Sequence, residues 1–138
     1  MTNEAASNES QGAEISRIVR AINDAWTGLE PDQIADAIRP HFRDDAAIAG
    51  QGATFVAAGG DAAAASYADF RRQARLLESR FEEPAVRVWG HTAVAMCAWD
   101  VSFVLRGDSR RDTGCDVFVF TREADGAWRV AFRAVFGG

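Results

Sequence analysis

Asp116 and Arg133 are the two residues whose type and spacing could do chemistry. Each interrupts an otherwise apolar strand face, in residues 112–122 and 127–136. A carboxylate and a guanidinium on a dry wall can hold a polar ligand group or pass a proton. The same two groups also make a cross-strand ion pair that satisfies two partly buried charges. Tyr67 is the next candidate, because a buried hydroxyl needs a partner. Asp116 and Tyr67 are thus the candidates for acid–base work. Trp26, Phe70, Trp99 and Phe118, with Tyr67, supply aromatic rings that would either line a cavity for a flat apolar ligand or pack a plain core. His41 is expected near the pocket mouth, and His91 on a surface turn. Asp44-Asp45 could supply an acid or base, or simply sit on a solvated turn.

Other chemistries find little support. Two histidines 50 positions apart, with no cysteine-rich spacing, give no ligand set for a metal. Cys97 reads as a small buried apolar residue rather than a nucleophile. Gly50-Gln51-Gly52 and Gly59-Gly60 do not follow a strand-to-helix phosphate pattern. No cofactor is expected.

The elements that would position these residues follow from periodicity. Ile15, Ile18, Val19, Ile22 and Trp26 make one helix face ending near Gly28. Pro31 suits the first turn of a second helix, with Ile34, Ile38 and Phe42 in line and Pro40 disturbing the end. Short strands are expected at residues 46–49 and 53–57. Asp61 is taken as the N-cap of a third helix reaching about Gln73, burying Ala63, Tyr67, Phe70 and Ala74. Residues 76–89 read as one strand broken by Pro84. Residues 93–105, 112–122 and 127–136 are three long strands, the first with its odd positions inward. The order is α+β: three helices on a largely antiparallel sheet. Residues 1–12 lack apolar periodicity and are expected to be a mobile tail before a single domain at 13–138.

With residues 123–126 as the hairpin loop, Asp116 lies opposite Arg133, Phe118 opposite Ala131, and Phe120 opposite Arg129. The other face then carries Val117, Val119, Trp128, Val130 and Phe132. That face is too apolar for water, so it predicts a homodimer.

Composition sets the outer limits. The chain has 138 residues, 48% of them hydrophobic and 25% charged, which suits one globular domain. Net charge is −5, and the arginines are dispersed with no lysine. Neither nucleic acid nor an anionic membrane is expected as a partner. No apolar run approaches a membrane span, and the first residues lack a signal-peptide pattern. Cys97 and Cys115 fall on opposite sheet faces, so a reduced, cytoplasmic protein is expected.

The element order, with Phe42-Arg43-Asp44-Asp45-Ala46, Ser66-Tyr67-Ala68-Asp69-Phe70, Val88-Trp89-Gly90-His91-Thr92-Ala93-Val94-Ala95, the 116–122 strand and Trp128-Arg129-Val130, resembles the nuclear transport factor two-like superfamily, including its SnoaL-like and ketosteroid isomerase-like members. The resemblance implies a cone-shaped, cystatin-like fold with a deep pocket, dimers through the outer sheet face, and Asp116, Phe118 and Arg133 turned into the pocket. It leaves activity open among isomerases, cyclases, dehydratases, epoxide hydrolases and non-catalytic binding domains. The ketosteroid isomerase pattern is not met. Its general-base Asp corresponds to Ala49-Gly50, its helix Tyr falls near Trp26, and its pocket Asp falls near Phe118.

Overall fold

The computed structural model describes residues 3–137. The helices are α1 (Asn3–Gly28), α2 (Pro31–Ile38) and α3 (Gly60–Gln73). The strands are β1 (Phe42–Gly50), β2 (Thr54–Ala58), β3 (Ala74–Phe81), β4 (Ala85–Trp89), β5 (Thr92–Leu105), β6 (Asp108–Arg122) and β7 (Trp128–Gly137). They form one sheet in the order β2-β1-β7-β6-β5-β3. β4 also pairs with β5, so β3 and β4 run along the same edge in the same sense. The expected strand over 76–89 is therefore present in two pieces, separated at Glu82–Pro84 where proline has no N–H to give. All pairings are antiparallel except β1 with β7.

The α1 stripe works as its spacing requires. Ile15, Val19 and Ile22 are fully buried, and Ile18 and Trp26 pack at the margin. The Arg71 guanidinium donates to the Trp26 carbonyl, satisfying an open acceptor of the last turn. Residues 3–12, expected as a tail, instead continue α1; residues 1 and 2 lie outside the described residues. Small residues explain part of this. Gly12, Ala13 and Ser16 border one surface depression with Pro84, Val86 and Val88, and a Cβ at Gly12 would make ordinary contact with Val86 at 3.9 Å. Among the described residues, no helix is long and apolar enough to cross a membrane.

Two other boundaries differ from the sequence reading. Phe42 opens β1 instead of closing the second helix, because Pro40 turns the chain through a short 3-10 segment, Arg39–His41. Asp44-Asp45 then lies on β1 instead of a turn, with Asp44 paired to Arg39 at 2.6 Å and Asp45 to Arg43 at 2.7 Å. The N-cap of α3 is Gly59, at φ 97°, where a side chain would be strained. Asp61 sits in the first turn and binds Arg39 instead.

The β6–β7 register also departs from expectation, with consequences for every later residue. Arg122 pairs with Trp128, so the loop is one residue longer than expected. Between the Val119–Phe132 and Phe120–Val130 pairs, Ala131 is an extra residue on β7. A bulge of this kind flips which face the side chains take. Trp128 and Val130 thus belong to the interior, at 2% and 0% exposure, and cannot form the outer surface expected of them. Val117, Val119 and Phe132 do stay on the outer face, joined by the exposed Met96, Phe136 and Phe55.

The interior has a filled end and a hollow end. Phe118, Phe120, Val130, Trp128, Phe42 and Ile38 close the first. Trp26, Phe70, Phe103 and Trp99 surround the second.

Candidate functional site

The hollow end is a cavity of about 270 Å³ between α1, α3 and the concave face of the sheet. Asn23 and Trp26 reach it from α1, and Ser66, Tyr67 and Phe70 from α3. The sheet contributes Phe81, Trp99, Val101, Phe103, Asp116, Arg133 and Val135, with the exposed Asp112 and Val56 at the rim. Strand alternation places them: the odd positions of β5 and the even positions of β6 face inward, as burial confirms for Val101, Phe103 and Asp116. Trp26 packs its ring on Phe70 and Phe81 at centroid distances of 5.6 and 6.2 Å, and Phe70 meets Phe103 at 5.2 Å.

The polar wall is built on Asp116, which is 2% exposed. Arg133 Nη2 donates to both of its oxygens, at 3.1 and 3.0 Å. Trp99 Nε1 donates to Oδ1 at 3.3 Å. The expected pair thus exists, but not as direct cross-strand neighbours. Asp116 lies opposite Val135, and Arg133 opposite Phe118, so the two meet on a diagonal. The longer loop and the Ala131 bulge are the reason. Such a pair loses much of its Coulombic gain to desolvation, so its presence is weak evidence of a stabilising role.

Arg133 also lies over the Tyr67 ring, its guanidinium carbon 4.4 Å from the centroid. Burial alone would lower its pKa, but the Tyr67 oxygen and the Asp116 carboxylate hold it above the usual value, so it stays charged. Burial pushes the Tyr67 hydroxyl above the ordinary tyrosine range, with Arg133 opposing and Asp116 adding to the shift. Tyr67 is therefore a proton holder at neutral pH. Its hydroxyl has no hydrogen-bond partner among the described residues, and neither has Arg133 Nε. Orphaned buried donors of this kind are rare and costly.

Of the residues singled out from sequence, Trp26, Tyr67, Phe70, Trp99, Asp116 and Arg133 line this cavity. Phe118 does not. It is fully buried beneath Arg133, 5.9 Å from the guanidinium, and serves as floor. His41 is also elsewhere: it precedes Phe42, whose register partner Val130 belongs to the filled end. Burial lowers its pKa there. Cys97 is buried, with its thiol pushed up to about 11 chiefly by burial and secondarily by Asp116, so it is not a ready nucleophile.

Sequence reasoning missed Asn23, Phe81 and Gly114. Asn23 sits between Ile22 and Trp26 on the buried stripe, a signal that was available. Its Nδ2 approaches Cys97 Sγ at 3.8 Å. Gly114 pairs with Trp99 across β5 and β6. A Cβ there would meet the Trp99 ring at 2.5 and 2.9 Å, and also the Phe136 carbonyl. The missing side chain lets the indole lie against β6 with its N–H directed at Asp116. Among the described residues no group of His, Cys, Asp or Glu is arranged to hold a metal ion.

Comparison with known proteins places this geometry in a family. The SnoaL-like domain family matches residues 19–132. No curated protein matches the chain. Among solved structures, a nuclear transport factor 2-like superfamily protein from Salmonella enterica superposes with a TM-score of 0.73 at 17% identity, over 94% of this chain and 92% of its own. An NTF2-like protein with a cystatin-like fold from Novosphingobium aromaticivorans gives 0.66 at 24% identity, over 98% and 88%. A ketosteroid isomerase-like protein from Erwinia carotovora atroseptica gives 0.68 at 18% identity, over 88% and 94%. These likenesses show the nuclear transport factor 2-like fold, and the match over most of the sequence makes the chain a member of the SnoaL-like domain family.

Proposed function

We propose that this protein binds a small, mostly apolar organic molecule carrying one polar group. The single observation behind this reading is the composition of the cavity wall. Aromatic rings from α1, α3, β3 and β5 enclose a space whose polar groups are gathered at Asp116, Arg133 and Tyr67. A mostly apolar cleft with a few convergent polar groups is the usual form of a small-molecule site. Trp26, Tyr67, Phe70, Trp99, Asp116 and Arg133 are the proposed contacts.

Acid–base chemistry of the isomerase, cyclase or lyase type would run through Asp116 or Tyr67. The arrangement favours binding over turnover. Three hydrogen bonds already fall on Asp116, leaving one of a carboxylate's about four lone-pair sites, and Tyr67 keeps its proton. A general base needs a free lone pair aimed at the proton it takes.

The test is saturable binding of apolar probes measured by calorimetry. Binding should weaken in Trp99→Ala and Asp116→Ala variants that still fold. Failure of every probe to bind would remove the reading.

A second reading has its own observation. Met96, Phe136 and Phe55 are 49, 58 and 68% exposed on the outer sheet face, beside Val117, Val119 and Phe132. We infer that this face pairs two copies of the chain. Sedimentation at micromolar concentration checks it: a dimer is expected, and a monomer for Phe132→Asp. A wild-type monomer would contradict the proposal.

A further inference from the structure

The β1–β2 hairpin breaks its own register at the cavity mouth. Between the Ile48–Ala57 and Ala49–Phe55 pairs, Val56 is an extra residue on β2. A bulge on an edge strand re-aims a side chain, and bulges recur beside functional sites. The re-aimed side chain stands on the cavity rim, 61% exposed. Gly50 leaves room for it, since a Cβ there would come within 3.3 Å of Val56 Cγ1. Asp112 marks another part of the rim, on β6, beyond the β6–β7 pair of Gly114 and Gly137.

The segment that holds Val56 is lightly attached. Residues 51–56 are all exposed, whereas Ile48 and Ala57, on the near side of the register break, are buried. β2 is an edge strand that pairs with β1 alone. Past the bulge two pairs remain, Ala49–Phe55 and Gly50–Thr54. The connecting turn holds Gly52 and Ala53 at positive φ, 74° and 56°, and alanine seldom takes that conformation. Surface contacts hold the tip in place. Gln51 Nε2 donates to the Gly137 carbonyl at 2.8 Å, and the Phe55 ring meets Phe132 at a centroid distance of 6.5 Å. A unit with few buried contacts opens and closes at low cost.

We infer that residues 51–56 form a lid, turning at the register break, that closes Val56 over the mouth when an apolar molecule occupies the cavity. This rests on the proposed binding role of the cavity. Ile48 and Ala57 are the fixed side of the hinge, and the tip beyond them swings. Closure takes an exposed valine out of water and sets it against a space lined mainly by aromatic and aliphatic side chains. An occupant supplies the surface on which Val56 packs, so binding and closure favour each other. A closed tip also keeps water from the occupied cavity, as lids over binding sites do.

Amide hydrogen exchange in residues 51–56 tests it, with naphthalene, indole and 2-acetylnaphthalene as probes. Occupancy is read separately from the Trp26 and Trp99 indole signals. A bound probe should slow exchange in 51–56 about tenfold, as a lid closed about nine-tenths of the time requires. The exposed β5–β6 turn at Arg106-Gly107 should not change. Val56→Ser alters an exposed side chain and should leave the fold intact. It is expected to abolish the slowing and to speed probe release about tenfold. If a probe binds and exchange in 51–56 stays the same, the lid is overturned while the cavity's binding role stands. The same follows if Val56→Ser keeps the slowing, whatever its release rate, because Val56 is then at most a fixed contact. If none of the three probes binds, the binding role itself falls and the lid with it.

Discussion

The inward face of β6 passes through two different interiors. From Phe118 to Phe120 it meets Val130, Trp128 and Phe42, all of them buried. From Asp112 to Asp116 it meets Trp99, Arg133 and a hollow of about 270 Å³. The strand, its alternation and its neighbours are continuous across the boundary. What changes is side-chain volume and polarity. Two phenylalanines fill one half, while in the other the Trp99 ring takes the space at Gly114 and two aspartates border the hollow. A fold selected only for stability would fill both ends. The difference is what supports the proposal of the hollow end as the binding site, since functional sites commonly cost stability.

Substitutions can break or sharpen that contrast. Phe118→Ala should cost about 3–5 kcal/mol in urea unfolding, because a rigid packed wall leaves the new cavity open. Phe70→Leu beside the existing hollow should cost less than about 1.5 kcal/mol, since neighbours there have room to adjust. Equal losses would erase the distinction between the ends.

The ion pair comes next. Asp116→Ala alone should cost about 3–5 kcal/mol by leaving Arg133 buried and unpaired. The double variant Asp116→Leu with Arg133→Met should recover most of that loss, because hydrophobic replacements of a buried pair are often neutral or better. Failure to recover would make the pair a structural necessity and weaken its case as a binding group.

Tyr67→Phe should raise stability by about 1 kcal/mol, by removing a buried hydroxyl that has no partner. A loss of similar size would mean the hydroxyl is satisfied within the fold.

The smallest effect should come from the exposed pairs. The Arg111, Arg43 and Arg129 guanidiniums hold the carboxyls of Asp100, Asp45 and Asp125 below the usual range. A lowered folded pKa gives stability that is present above the unfolded value of about 3.9 and is lost as pH falls through the lower folded values. The decline should therefore appear only below about pH 4, be damped by salt, and be partly flattened in Asp100→Asn. An acid loss insensitive to salt would contradict this attribution to exposed pairs.

Much of this was legible in residue order. The alternation of β5, the α1 stripe and the α3 stripe account for Trp99, Trp26, Tyr67 and Phe70 lying on the cavity wall. Asp116 and Arg133 were paired for a sound reason but with the wrong register. The bulge at Ala131 explains why: alanine carries no mark of an extra residue, yet one such residue exchanges the faces of Trp128 and Val130. His41 was misplaced because the 3-10 turn at Pro40 redirects the chain toward the closed end. Gly114 looked like an ordinary strand glycine, and its use appears only when the Trp99 ring is seen lying over it.

The four tryptophans offer the most direct test of the contrast. Trp26 and Trp99 line the cavity, Trp128 lies in the filled end, and Trp89 is exposed on the far edge. Their indole N–H signals can be followed separately by nitrogen-15 NMR while 2-acetylnaphthalene is added. The account predicts saturable shifts of the Trp26 and Trp99 signals, with Trp128 and Trp89 unmoved. Shifts confined to Trp89, or none at all, would contradict the claim that the hollow end is a ligand site.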